Sequence, residues 1–319
     1  MIPAAVLRIC GRPPAVEKRP APVPGAGEVP ITVAAAPITP LDLLCASGTS
    51  YFGMPATPYV PGVQGVGYRD DGTPVWFATS AGMRPGDGSM AAAVSVPHVD
   101  VVPLPRGVPL PLIAALGLSA VAAHSALTRT GGLTPGETVV VLGAAGVVGQ
   151  AAVQLARISG AGRVIAVSRS SEALERAVRH GAEEGVLLRP DDDPMSLADR
   201  LRAASGPADL VLDPVFGVSA AAALRVLRPG GRLVNLGSSA SPTAPIDSAT
   251  LRSGSLRVLG YTNNALSTAQ RAESIGEIAS LAAAGRLTVS HEVVPFGDVA
   301  RGWERQAAGE ADGRIVLVL

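Results

Sequence analysis

Hydrophobic patterning changes character twice along the chain. Up to about residue 115, short apolar runs at 4–9, 30–35, 74–78, 92–96 and 100–102 are separated by proline and glycine. Many short strands punctuated by turn residues predict a β-barrel. Beyond about residue 112, apolar β-branched runs at 138–142, 163–167, 185–188, 209–213 and 232–236 have the composition of strands covered on both faces. Helical patterns lie between them: Val148, Ala151, Ala152 and Leu155 share one face, as do Leu174, Ala177 and Val178 ahead of a stop at Gly181. Alternating strand and helix predicts a doubly wound parallel sheet. From about residue 290 the runs are strand-like again, at 291–295 and 314–319, around a helix beginning near Asp298.

The chain is therefore expected to be α/β with two domains, and 319 residues at 47% hydrophobic suffice for two cores. Charge is balanced at 26 basic and 26 acidic side chains, which argues against nucleic acid as a partner. The longest apolar stretch considered, 109–123, falls short of the ~20 residues of a membrane span, and no basic-then-apolar leader opens the sequence. No membrane partner and a cytoplasmic location are the expectations. Cys10 and Cys45 are far apart, which speaks against a disulfide framework or a structural zinc lobe.

One motif carries chemistry. Gly143-Ala144-Ala145-Gly146-Val147-Val148-Gly149 follows an apolar strand and opens an amphipathic helix. In that context glycines let the backbone turn tightly and approach a pyrophosphate, which the first helical N–H groups and the helix dipole stabilise. The alternative, a turn that only packs helix on strand, is disfavoured by the strands that follow. At the tip of the second strand an acidic side chain would bind a ribose 2′-hydroxyl. This sequence has Ser168 and Arg169 there, a pair suited to a 2′-phosphate, unless Arg169 is an ordinary solvated arginine. Cofactor contacts are accordingly expected at Gly143, Ala144, Gly146, Val147, Val148, Gly149, Ser168 and Arg169, with Gly237, Ser238, Thr262 and Asn264 beyond later strands.

Taken with Pro40-Leu41-Asp42, Ser47-Gly48, Pro61-Gly62-Val63-Gln64-Gly65-Val66-Gly67, Pro135-Gly136-Glu137 and Pro229-Gly230-Gly231-Arg232-Leu233-Val234, the chain resembles the medium-chain dehydrogenase/reductase superfamily, nearest its zinc-independent quinone oxidoreductase branch. The resemblance implies a GroES-like barrel at 1–115, completed by 262–319, and a Rossmann domain at 116–261 that binds NADPH. It also implies a homodimer paired through the strand near 256–261. Where zinc alcohol dehydrogenases carry histidine and cysteine ligands, this sequence has Val63 and Thr39, and its histidines, His98, His124, His180 and His291, are scattered. It departs from quinone reductases too: Val147 replaces a glycine, Ala173 a lysine, and Leu44 and Leu188 two tyrosines.

What the resemblance implies is hydride transfer from NADPH to an enone or quinone, a small-molecule substrate whose carbonyl oxygen gains negative charge and needs a hydrogen-bond donor. Tyr51, Thr39 and the Tyr261-Thr262-Asn263-Asn264 segment are candidates, with Asp42 beside them. Each has a plainer reading: an aromatic wall of Tyr51 with Phe52, a barrel-structuring Asp42, a turn at Asn263-Asn264. Two other functions fit the same residues, a tailoring reductase acting on a larger biosynthetic intermediate and a nucleotide-binding protein without turnover.

Overall fold

A computed structural model describes residues 1–319, which divide into two compact units: Met1–Gly117 with Ser267–Leu319, and Leu118–Leu266.

In the first unit β1 (Ile2–Val6) and β2 (Ala15–Arg19) form a two-stranded antiparallel ribbon. β3 (Glu28–Pro37), β4 (Gln64–Tyr68), β5 (Pro74–Ala78), β6 (Ala93–Pro97) and β7 (Val101–Pro103) join two strands from the chain's end, β14 (His291–Pro295) and β15 (Arg314–Val318), in a second sheet. Its order is β14-β15-β3-β4-β5-β7, with β6 also paired to β3. Ile31, Val33, Val75, Phe77, Val94 and Val96 fill one core, while Trp303, Phe296 and Leu317 pack with Ala5, Leu7 and Met90 in another. β2 and β4 fall outside the apolar runs read from the sequence. β2 is the charged, partly exposed Ala-Val-Glu-Lys-Arg, and β4 carries Gly65 and Gly67, two residues of low strand propensity. Gly67 is nonetheless obligatory, because any side chain there would overlap the Thr32 carbonyl of the neighbouring strand.

Helix α1 (Pro40–Ser47) starts in a capping box: Thr39 accepts from the Asp42 amide, and the Asp42 carboxylate accepts from the Thr39 amide. Helix α2 (Leu110–Ser125) continues as a π-turn to Thr130 and is broken at Gly117 (φ 28°, ψ −130°). The expectation that no apolar stretch reaches membrane-spanning length is corrected here, since Leu110–Thr130 is 21 residues long and apolar enough. Of an apolar 18-residue window within it, 78% is buried inside the protein, as in a core helix.

The second unit holds six parallel strands, β8 (Thr138–Val141), β9 (Arg163–Ser168), β10 (Glu184–Leu187), β11 (Ala208–Asp213), β12 (Leu227–Asn235) and β13 (Arg257–Gly260). Their order is β10-β9-β8-β11-β12-β13, the doubly wound arrangement the alternating pattern predicts. Helices α3 (Val147–Ile158), α4 (Ser171–Arg179), α5 (Pro194–Ser205), α6 (Val218–Leu224) and α7 (Ser248–Ser253) connect the strands. Short polar caps set several of their starts, Ser170 on α4, Asp193 on α5 and Asp247 on α7. Val140, Leu142, Ile165, Val167, Val211 and Leu233 form the middle of its core. Helices α8 (Thr268–Ala283) and α9 (Val299–Ala308) belong to the first unit.

An ion network around the buried Arg232 ties the amino ends of β8 and β11 to the middle of β12. Arg232 is bidentate to Glu137 at 2.6 and 2.7 Å and donates to the carbonyls of Gly131 (2.6 Å), Gly132 (3.1 Å) and Asp209 (3.1 Å). Burial opposes the Glu137 charge, but Arg232, the Thr134 amide and Arg228 outweigh it and hold the carboxyl below its ordinary 4.5. A depressed carboxyl pKa stabilises the fold above 4.5, and that contribution disappears as pH falls through the folded-state value. Glu137→Gln should therefore cost about 2 kcal/mol or more at neutral pH, and the deficit should shrink toward zero in acid. Denaturant titrations of both proteins across pH measure this; a deficit that does not change with pH would contradict it.

Candidate functional site

The strand order reverses between β8 and β11, so the chain leaves the carboxyl ends of these neighbours in opposite directions and opens a crevice there. Gly143 takes φ +66°, the turn closes through a Gly146 N–H to Gly143 carbonyl bond of 3.1 Å, and α3 begins at Val147. A Cβ on Gly149 would overlap the Gly143 carbonyl oxygen and lie 2.7 Å from Ala144 Cα, so only glycine lets the helix start this close to the strand. The N-cap residue, Gly146, has no side chain to accept from the first turn. The first-turn amides, those of Val147, Val148 and Gly149, are left for an anion. Gln150 braces the loop by donating to Ala145 at 2.8 Å, and Ala144 N–H ties it to β9 through the Val167 carbonyl at 2.9 Å.

Ser168, the last residue of β9, is buried and accepts from the Ser170 amide at 3.1 Å. Ser170 in turn caps α4 through the Ala173 amide. Arg169 between them is exposed, and its guanidinium makes no hydrogen bond or ion pair within the protein. Gly237 and Ser238 follow β12, with Gly237 packed against the Pro214 carbonyl. Thr262 and Asn264 follow β13; the Thr262 hydroxyl accepts from the Asn264 amide at 3.3 Å. Tyr261 donates to Asn263 at 2.7 Å, and Asn263 donates to the Leu118 carbonyl at 3.0 Å, so both side chains are engaged in holding this turn. Burial, the largest influence, pushes the Tyr261 hydroxyl up to about 12. All the sequence-predicted cofactor residues thus lie at or beyond the carboxyl ends of one sheet.

Tyr51, Thr39 and Asp42, the other residues considered for catalysis, belong to the other unit. Asp42 is fully engaged: one oxygen accepts from the amides of Gly62 (3.1 Å) and Val63 (2.9 Å), the other from the Thr39 amide (2.8 Å) and hydroxyl (2.6 Å). Thr39 spends its only hydroxyl proton on Asp42, and both are buried. Neither is available as a donor to a substrate, and the barrel-structuring reading of Asp42 accounts for its geometry. Tyr51 is different, 77% exposed, its ring tilted by 38° against that of Phe52 with centroids 4.3 Å apart, and its hydroxyl unengaged. Sequence reasoning overlooks Asp213 and Asn235, polar residues that end β11 and β12; a polar residue closing an apolar strand just before Pro214 is the available signal.

A family model described as zinc-binding dehydrogenase matches residues 147–280. The human synaptic vesicle membrane protein VAT-1 homolog is 30% identical over 243 residues, 72% of this chain and 59% of that protein. A phenolphthiocerol/phthiocerol polyketide synthase of Mycobacterium tuberculosis is 29% identical over 307 residues, 92% of this chain and 14% of that protein. The chain thus spans less than two thirds of the length of these curated relatives. The quinone oxidoreductase of Thermus thermophilus, solved also in complex with NADPH, superposes with a TM-score of 0.85 at 31% identity, over 99% of this chain and 100% of that one. The chain belongs to the medium-chain dehydrogenase/reductase superfamily, in its quinone oxidoreductase-like branch.

Membership raises the question of zinc, and the residues do not fit it. No group of three or more His, Cys, Asp or Glu side chains stands together in this reductase-family chain. Val63 has no donor atom, and the Thr39 oxygen is occupied by Asp42. A dinucleotide fits better, because the α3 amides, the glycine turn and the unpaired Arg169 supply donors for phosphates and nothing acidic opposes them at the β9 tip.

Proposed function

We propose that this chain is a zinc-independent, NADPH-dependent oxidoreductase that reduces an activated C=C bond or a quinone. The observation that carries the reading is the tip of β9, where a buried Ser168 and a free, exposed Arg169 replace the carboxylate that would select NADH. The first-turn amides of α3 hold the pyrophosphate, and Arg169 receives the 2′-phosphate through charge-assisted hydrogen bonds. Bound there, NADPH supplies the hydride. Conjugation spreads the developing charge onto an oxygen that a hydrogen bond stabilises without a Lewis acid. The alignment of 92% of the chain with a polyketide synthase favours a second reading, reduction of a larger biosynthetic intermediate by the same chemistry.

NADPH oxidation against a panel of enones, quinones and simple ketones should show turnover of the conjugated acceptors, unaffected by chelators. Turnover confined to simple ketones, or lost on chelation, would contradict the proposal, and a silent panel would favour a nucleotide-binding protein without turnover.

Arg169→Ala should weaken NADPH by roughly one to two orders of magnitude while leaving NADH nearly unchanged, the worth of a charge-assisted hydrogen bond. Adding Ser168→Asp should reverse the preference. Titration of both cofactors decides; equal losses would make Arg169 structural.

Pairing of two copies through β13 belongs to the same reading. This edge strand exposes Val258 at 43%, an apolar edge of the kind proteins usually cover. Light scattering should report twice the chain mass of 32.1 kDa, and a single chain mass would rule the dimer out.

A further inference from the structure

The wall of the crevice opposite the glycine loop is organised by one carboxylate that the proposed chemistry does not use. Asp213, the last residue of β11, is completely buried, and no arginine, lysine or histidine pairs with it. One oxygen accepts from the amides of Val215 (3.0 Å) and Phe216 (2.7 Å), the other from the Asn235 side-chain amide (3.0 Å). Asn235 ends β12 and also donates to the Gly237 carbonyl at 2.8 Å. The turns after β11 and β12 are then stitched together, as the Ala240 amide donates to the Val215 carbonyl at 2.9 Å.

Two features mark this as more than a strand cap. Phe216 takes φ +62°, a left-handed conformation that a bulky side chain adopts only when its surroundings enforce it. The Asp213 carboxylate supplies the enforcement by accepting from that residue's own amide. Val215 is thereby presented to the glycine turn, its Cγ1 lying 2.7 Å from the place a Cβ on Gly143 would occupy. All three partners of Asp213 are donors, so an amide in its place would turn an NH2 group toward donors. Burying a carboxylate with no cation beside it opposes stability even where amides donate to it, which argues that the residue serves the site.

We infer that Asp213 is a positioning residue for the dinucleotide: with Asn235 it clamps the turns after β11 and β12 and so fixes the width of the crevice against Gly143. This rests on the reading of the crevice as a dinucleotide site. Because the clamp acts on the crevice and not on the 2′-phosphate, its loss affects both cofactors alike.

The test is titration of the full chain with NADPH and with NADH, for wild type, Asp213→Asn, Asn235→Ala, Asn235→Asp and the swap Asp213→Asn with Asn235→Asp, each with its melting temperature. Asp213→Asn and Asn235→Ala should weaken both cofactors by a similar factor, roughly ten-fold. The swap restores a donor facing an acceptor, so it should bind more tightly than Asn235→Asp alone. Should Asp213→Asn not fold, Asn235→Ala and the swap decide. Melting temperatures that fall while both affinities stay within about two-fold of wild type would overturn the inference, as would a loss confined to NADPH. A wild type that binds neither cofactor would overturn the dinucleotide reading and this inference together, whereas unaltered variants beside a binding wild type would remove only the role of Asp213.

Discussion

Between the end of β8 and the first turn of α3 there is no room for a single carbon atom beyond the backbone. A Cβ on Gly149 would overlap the Gly143 carbonyl, and one on Gly143 would come within 2.7 Å of Val215. This contact lets α3 start directly against the strand end, where the N-cap Gly146, having no side chain, leaves the first-turn amides unpaired. It also brings the turn after β11 against the turn after β8. The residues proposed to handle the cofactor, from the glycine loop to Gly237, are arranged around that approach.

Arginine serves two ends in this chain. Arg232, Arg163 and Arg314 turn their several donors inward and cap backbone carbonyls that the strands leave over: Gly131 and Gly132 for Arg232, Ala204 and Ser205 for Arg163, Ile38 for Arg314. A planar guanidinium with five donors suits that task better than an ammonium, and lysine is almost absent, at Lys18 alone. Arg169 uses the same group outward. It stands at a strand tip whose neighbouring hydroxyls, Ser168 and Ser170, are already turned to local amides, and so its donors stay free for a ligand.

The first unit shows the opposite economy, with polar groups consumed internally. Asp42 closes the α1 cap, anchors the Gly62-Val63 backbone and takes the Thr39 proton, leaving no polar hydrogen of that cluster for chemistry. The cluster is committed to holding α1 and the Gly62-Val63 backbone in place. That is consistent with a reaction in which the bound cofactor brings the reactivity and the protein brings position.

The doubly wound unit is legible because each of its signals is local. Apolar β-branched runs, 3.6-residue helical faces and a glycine loop directly after a strand depend on neighbours in sequence, so residues 138–142 and 163–167 read correctly as β8 and β9. Local signals fail where long-range pairing overrides composition: the charged β2 and the glycine-bearing β4 are strands because β1 and β3 pair with them. The length of the helix through Leu110–Thr130 likewise escapes a sequence reading, since a break at Gly117 and a π-turn interrupt its regular pattern. For the site, the sequence determined which residue types stand at the strand ends, including Ser168 and Arg169. Only the tertiary structure decided which of them are free, because a hydrogen bond belongs to two residues at once: it tied Thr39 to Asp42, joined Asp213 to Asn235 and left Arg169 unpaired.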